Sequence, residues 1–306
     1  MHGKTFQKKQ RFLCLTCSRT FVWKVPHIKR HKERHWFKLW INESYTVRQI
    51  TKISGHSRTK IRHIKDYWLQ QLPPEQLDLS KYKYLLCDGT YFHQDGCLIC
   101  FKDTLSHRIV SSLYTQREGY ENVHGWFKKL HDRGLSITCI TMDGERSVMR
   151  ALKDVWPRAR IQRCLYHIQR EGMRWLRTYP CTDAGRQLRR LLGGLAGIKT
   201  RHDKELFIRG FRAWQQDNRS FVMSLSSNTV AYKDLKKTMT LIHNALPDMF
   251  HFLDHPTAPS TTNLLEGFFS RLKSDYRRHR GLNHANKIAY LKWYCYFKSQ
   301  KSSNTF

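Results

Sequence analysis

A chain of 306 residues with 55 Lys and Arg against 24 Asp and Glu carries a formal net charge of +31, which argues against a handler of neutral metabolites and for a polyanionic partner, nucleic acid above all. The alternative is a basic ribosomal or otherwise RNA-associated protein, but 40% apolar and 13% aromatic content is enough to build real cores. No stretch approaches the roughly 18 uncharged apolar residues of a membrane helix, the start MHGKTFQKKQRFL is not a secretory signal, and an odd count of nine cysteines argues against a disulfide framework; a soluble, intracellular protein is expected.

Residues 1–38 form a basic, histidine-rich segment with Cys14 and Cys17 in QRFLCLTCSRTF. This CxxC looks like one knuckle of a zinc ribbon, but a tetrahedral Zn²⁺ site needs a second pair and residues 1–38 hold no second CxxC. His27, His31 and His35, at i, i+4, i+8, could add nitrogen ligands or face phosphate with the basic residues between them. A remnant of a longer ribbon is the competing reading.

Residues 39–74 carry a helix-turn-helix pattern. Val47, Ile50 and Ile53 precede a Ser54-Gly55-His56-Ser57 break, and Ile61, Ile64 and Trp68 follow it, with Ser57 as N-cap of the second helix. That helix is expected to present Arg58, Lys60, Arg62, His63 and Lys65 outward as a major-groove reader; an ordinary helical hairpin with a solvated face is the alternative. Leu72-Pro73-Pro74 supplies a linker.

From residue 80 to 306 the pattern is α/β. Tyr84–Cys87, Cys97–Phe101 and Ile109–Tyr114 read as strands, Asn122–Asp132 as a helix, Ser136–Met142 as a strand, Ser147–Trp156 as a helix and Ala159–Cys164 as a strand. The order βββαβαβ is that of a ribonuclease-H-like core, whose first and fourth strands can lie side by side. Residues 165–255 look helical and too long for a loop, so they read as an all-helical insertion. Trp175, Tyr179, Trp214 and Tyr232 within it could stack on an unpaired base, although most such aromatics are core residues.

Three acids stand in matching settings: Asp88 in LLCDGTYF, Asp143 in ITCITMDGE and Glu266 in TTNLLEGFFSRLK. Hard divalent cations take oxygen ligands, and a pair of them about 4 Å apart can activate water and stabilise the leaving oxygen of a phosphodiester. Singly, each acid has a plainer explanation: Asp-Gly turns at two strand ends, and a capping box of Asn263 with Glu266. Jointly, in so basic a chain, they favour a metal site. In the helix of Glu266 a stripe of Leu264, Leu265, Phe268, Phe269 and Leu272 should be buried, leaving Arg271, Lys273, Arg277, Arg278 and Arg280 for phosphate.

The run DGTYF, the block TMDGERSVMRALKDVWPRARIQRCLYHIQRE and the block NLLEGFFSRLKSDYRRHRGL together resemble the Mutator-like superfamily of DDE transposases, in its bacterial insertion-sequence branch, over roughly residues 84–290. The half-ribbon and helix-turn-helix look like those of its zinc-ribbon variant. The resemblance implies a recombinase that binds the terminal inverted repeats of its element, cuts the ends and joins the freed 3′-hydroxyl to target DNA, using Mg²⁺ or Mn²⁺. Asp88, Asp143 and Glu266 match the family's metal-binding catalytic acids, and Cys164 and His167 match its CxxH motif. The partners so implied are double-stranded DNA and a second copy of the chain, since two ends must be held together, in the cytoplasm at the nucleoid. The rival functions are a nuclease or resolvase that cuts without joining, and a truncated, non-catalytic DNA-binding descendant.

Overall fold

Alternating residues on either side of the CxxC pair as a hairpin: β1 (Arg11–Leu13) runs antiparallel to β2 (Thr20–Val22), with the two cysteines in the turn. The structure is a computed structural model that describes residues 2–6, 8–23, 26–75, 78–92, 95–279 and 281–300, with side chains from residue 30 onward in the first helix. It divides into two units, Met1–Leu72 with Asp275–Tyr290, and Pro73–Ser274 with Leu291–Phe306.

In the first unit α1 (Pro26–Asn42), α2 (Val47–Ser54) and α3 (Arg58–Leu69) follow the hairpin. Thr46 and Gln49 close a capping box on α2, Gly55 ends it at φ +67°, a left-handed position that glycine takes without strain, and the Ser57 hydroxyl accepts the Lys60 N–H to open α3. The apolar sides meet: Ile50, Ile61 and Ile64 are buried with Phe37, Trp40 and Ile41 of α1, and Phe37 stacks on Trp68 at 6.2 Å. The boundary expected at residue 38 therefore falls inside α1, whose second half supplies the core of the helical pair.

In the second unit β3 (Tyr84–Tyr91), β4 (Cys97–Asp103), β5 (Ile109–Thr115), α4 (Tyr120–Asp132), β6 (Cys139–Met142), α5 (Arg146–Val155) and β7 (Arg160–Arg163) keep the expected order. The sheet runs β5-β4-β3-β6-β7, with β3, β4 and β5 antiparallel and β6 and β7 parallel to β3. Every residue of β4 is buried, because both faces of the sheet are covered. Phe101 packs on Trp126 and Phe127 of α4, while its neighbour Cys100 points the other way and meets Cys295, Sγ to Sγ, at 4.0 Å.

Beyond β7 come α6 (Leu165–Trp175), α7 (Asp183–Gly193), α8 (Arg201–Ser224) and α9 (Val230–Ala245), which share a core that includes Leu188, Leu192, Phe211, Trp214 and Ile242. Short 3-10 turns lead to α10 (Asn263–Arg277) and α11 (His284–Ser299).

Candidate metal centre

Strand register sets the site. Cys87 of β3 pairs with Met142 of β6 in parallel, so Asp88, the next residue of β3, and Asp143, the first residue after β6, stand at the same level. Asp88 lies within β3, opposite Cys100, rather than at its end: the pairing with β4 continues through Tyr91 and carries the carboxylate into the sheet. Burial, with repulsion from Asp143 behind it, pushes the Asp88 carboxyl up to about 8, and one hydrogen bond from the Gly89 N–H at 2.9 Å relieves this only in part. Asp143 is turned toward its own loop, where Oδ1 accepts the Glu145 N–H at 3.1 Å.

The third acid comes from α10. The segment before it is tied to the end of the sheet: Thr141 Oγ1 donates to Pro259 O at 2.7 Å and the Leu165 N–H to Ser260 O at 2.9 Å. Cys164, fully buried at the start of α6, accepts the Thr262 N–H on its sulfur at 3.3 Å. Thr262 Oγ1 also lies 3.4 Å from His167 Nδ1, and His167 Nε2 lies 3.3 Å from Glu266 Oε1, with Arg170 Nη1 at 3.6 Å from the same oxygen. The CxxH pair thus connects α6 to the start of α10. Glu266 faces these partners and not the backbone of Asn263, so the capping-box alternative does not describe it.

One ligand atom from each of Asp88, His167 and Glu266 falls within 4.8 Å of the other two. Two of the three acids, Asp88 and Glu266, are in this group. His167 takes the third place, and Asp143 stands beside Asp88 outside this group. Burial lowers the affinity of His167 for a proton, which leaves a neutral ring with a nitrogen lone pair. Two carboxylates and one imidazole, with the ionisation of the buried acid opposed by its neighbour, are a donor set that suits a divalent metal ion.

Two neighbours of the acids are not apparent from the sequence. Glu118, just before α4, rests its carboxylate against Gly89, where an added Cβ would come within 1.9 Å of Oε1, and accepts from Cys97 Sγ at 3.1 Å. Burial raises its pKa, with repulsion from Asp143 and Glu145 adding to it. Arg163 donates from Nε to Asp143 O at 3.1 Å and occupies the space left by Gly144, at φ +103°, 2.0 Å from where a Cβ would sit. The only advance signal is the glycine following each Asp, which marks a close approach.

The other predicted residues divide. Arg58, Arg62 and His63 are exposed on α3, but Lys60 is paired with the buried Glu33, and Lys65 lies 3.2 Å from Asp66, so the outward set is smaller than expected. Leu264 is 44% exposed, leaving Leu265, Phe268, Phe269 and Leu272 as the buried stripe. Arg271, Arg277 and Arg278 are exposed, Lys273 is half-buried with Nζ 5.7 Å from the Phe92 ring, and Arg280 lies outside the described residues. Trp214 is a core residue whose indole N–H donates to Ala184 O at 3.0 Å, which removes it as a stacking candidate; Tyr179 is exposed. Cys14 and Cys17 join no third ligand among the described residues, and His27 has no described side chain. No helix among the described residues is long and apolar enough to cross a membrane.

Comparison with known proteins gives one family. The family model described as "Transposase, Mutator family" matches residues 101–285, a span that holds Asp143, Cys164, His167 and Glu266 and begins after Asp88. A search of curated proteins found no match. Among solved structures, a chain of the cryo-EM structure of the simian T-cell lymphotropic virus intasome in complex with PP2A regulatory subunit B56 gamma is similar at 14% identity, over 54% of this chain and 69% of that one. Its TM-score of 0.22 is too low to bear on the fold.

Proposed function

Because this chain belongs to the Mutator family of transposases, we propose that it binds the terminal inverted repeats of an insertion sequence, cuts the DNA at those ends and joins the freed 3′-hydroxyl to target DNA. The supporting observation is the convergence of Asp88 from β3, His167 from α6 and Glu266 from α10 on one point, with Asp143 beside Asp88 on the neighbouring strand. On this reading the sheet and its helices are a ribonuclease-H-like core, the helices from α6 to α9 are its insertion, and the chain acts as a dimer or larger assembly on DNA in the bacterial cytoplasm.

Asp88, Asp143 and Glu266, with His167, would hold Mg²⁺ or Mn²⁺. The bound ions would supply an activated water and stabilise charge on the phosphodiester oxygens. The chain's own residues set the geometry: His167 orients Glu266, Thr262 and Cys164 hold the start of α10, and Arg163 fixes the loop of Asp143 through its carbonyl. Arg58 and Arg62 on α3 would contact the inverted repeat, while Arg271, Lys273, Arg277 and Arg278 would contact phosphate. Cys14 and Cys17 would hold zinc only together with ligands that the described residues do not bring to them.

The test is cleavage and strand transfer in Mg²⁺ or Mn²⁺ on DNA carrying the gene's own flanking ends, comparing the parent with Asp143→Asn. Metal-dependent joining that disappears in the variant is the expected result. Cutting without joining would make the protein a nuclease, and binding without cutting in both proteins would make it a DNA-binding descendant.

A further inference from the structure

At the far end of the sheet from the acids, the second unit has a cleft of about 640 Å³ between the first residue of β7, one side of α8 and the turns after α9. Arg160 pairs with Cys139 at the start of the parallel strands, whereas Asp143 follows Met142 at their end. At about 3.3 Å per residue these points are roughly 13 Å apart. The cleft is therefore separate from the candidate metal centre.

Its lining combines two chemistries. Lys204, Ile208, Phe211, Arg212 and Gln215 recur along α8 at helical spacing, so one stripe of that helix faces the space. Arg160, Lys204 and Arg212 bring three cations to it, and none of the three forms an ion pair among the described residues. Asp254, which also lines the cleft, is occupied by Arg201 at 2.7 Å. The floor is apolar, made by Ile208, Phe211, Leu246 and Phe250, with Lys204 Nζ 5.7 Å from the Phe250 ring. Cations with unspent charge around an apolar floor, in a volume of the size that holds small ligands, match a phosphate joined to a flat apolar group.

We propose that this cleft binds a nucleoside phosphate, its phosphate on Arg160, Lys204 and Arg212 and its base and sugar against the apolar floor. The ligand is either a free nucleotide or one nucleotide of a DNA strand, which share this chemistry.

The test is fluorescence anisotropy of the full chain with two probes, a labelled nucleoside triphosphate and a labelled short single-stranded oligonucleotide. The parent is compared with Arg160→Ala/Lys204→Ala/Arg212→Ala and with a control that removes equal charge from the exposed side of α9, Lys233→Ala/Lys236→Ala/Lys237→Ala. A tenfold or greater loss in the cleft variant, with the control within twofold of the parent, is expected. Loss with the nucleotide probe assigns a free nucleotide, and loss with the oligonucleotide alone assigns a strand. No binding of either probe by the parent, equal binding by parent and cleft variant, or an equal fall in both variants would overturn the proposal. Asp143→Asn should bind both probes as the parent does, so a failure of strand transfer leaves this result intact.

Discussion

Replacing Asp88 by Asn should stabilise the metal-free protein, and only above acid pH. The carboxyl titrates at about 8 in the folded chain against a reference of 3.8, chiefly because it is buried. A folded-state value raised above the unfolded one means that the unfolded chain releases this proton first. The contribution of Asp88 is therefore most favourable below about pH 4, declines as pH rises from 4 to 8, and is flat above. About 4 pH units at 1.36 kcal/mol each give up to about 6 kcal/mol of destabilisation at pH 8. Asn has nearly the same shape and cannot ionise, so it removes this dependence. For a unit of some 200 residues, that corresponds to a rise in Tm on the order of 10 to 20 °C at pH 8. Urea unfolding in EDTA at pH 4, 5, 6, 7 and 8 would measure it. Parent and variant curves should meet near pH 4 and diverge by more than 1 kcal/mol per pH unit up to pH 8; curves parallel across that range would refute a buried, destabilised carboxylate at this position.

Three further outcomes follow from the same packing. Gly89→Ala should destabilise by about 1–3 kcal/mol, since the new methyl meets the Glu118 carboxylate and Cys97 sulfur; adding Glu118→Ala should recover at least half of the loss, and a strictly additive double-mutant cycle would contradict the contact. Trp214→Ala should cost about 3–5 kcal/mol in urea unfolding as a core truncation; an unchanged midpoint, with DNA binding lost, would restore it as a stacking residue. Affinity for duplex DNA should fall steeply between low and physiological salt, with a log–log slope of several units, and a flat titration would remove phosphate contact as the main source of binding.

Much of this layout is legible in the residues. The change of period at Tyr84 and the apolar runs after it locate the sheet, and the side-by-side placing of β3 and β6 is the one that the βββαβαβ order allows. The Ser57 cap and the Gly55 turn are local and so are readable directly. What is hidden depends on distant partners. Lys60 looks like an outward cation until Glu33, 27 residues earlier, is found against it. Leu264 fits the apolar stripe by spacing, but the first turn of α10 leaves it at the surface. Glu118 and Arg163 fill spaces created by missing glycine side chains; Gly89 and Gly144 mark that something comes close, but not which side chain it is. His167 has the spacing of a motif, but its partner oxygen arrives about a hundred residues later, on Glu266.

That distance has a consequence for how the chain can change. Cys164 and Thr262 touch although they are 98 positions apart, and Gln162 of β7 binds Met249 and Phe252, so the helices from α7 to α9 leave and return to the end of the sheet through a few neighbouring ties. Doubling the length of a flexible closed segment costs only about 0.6 kcal/mol in closure entropy. Those ties act as a mechanical isolator: α7, α8 and α9 can be lengthened, exchanged or re-surfaced for new partners while α6, which carries His167, and the start of α10 keep the spacing of Asp88, His167 and Glu266.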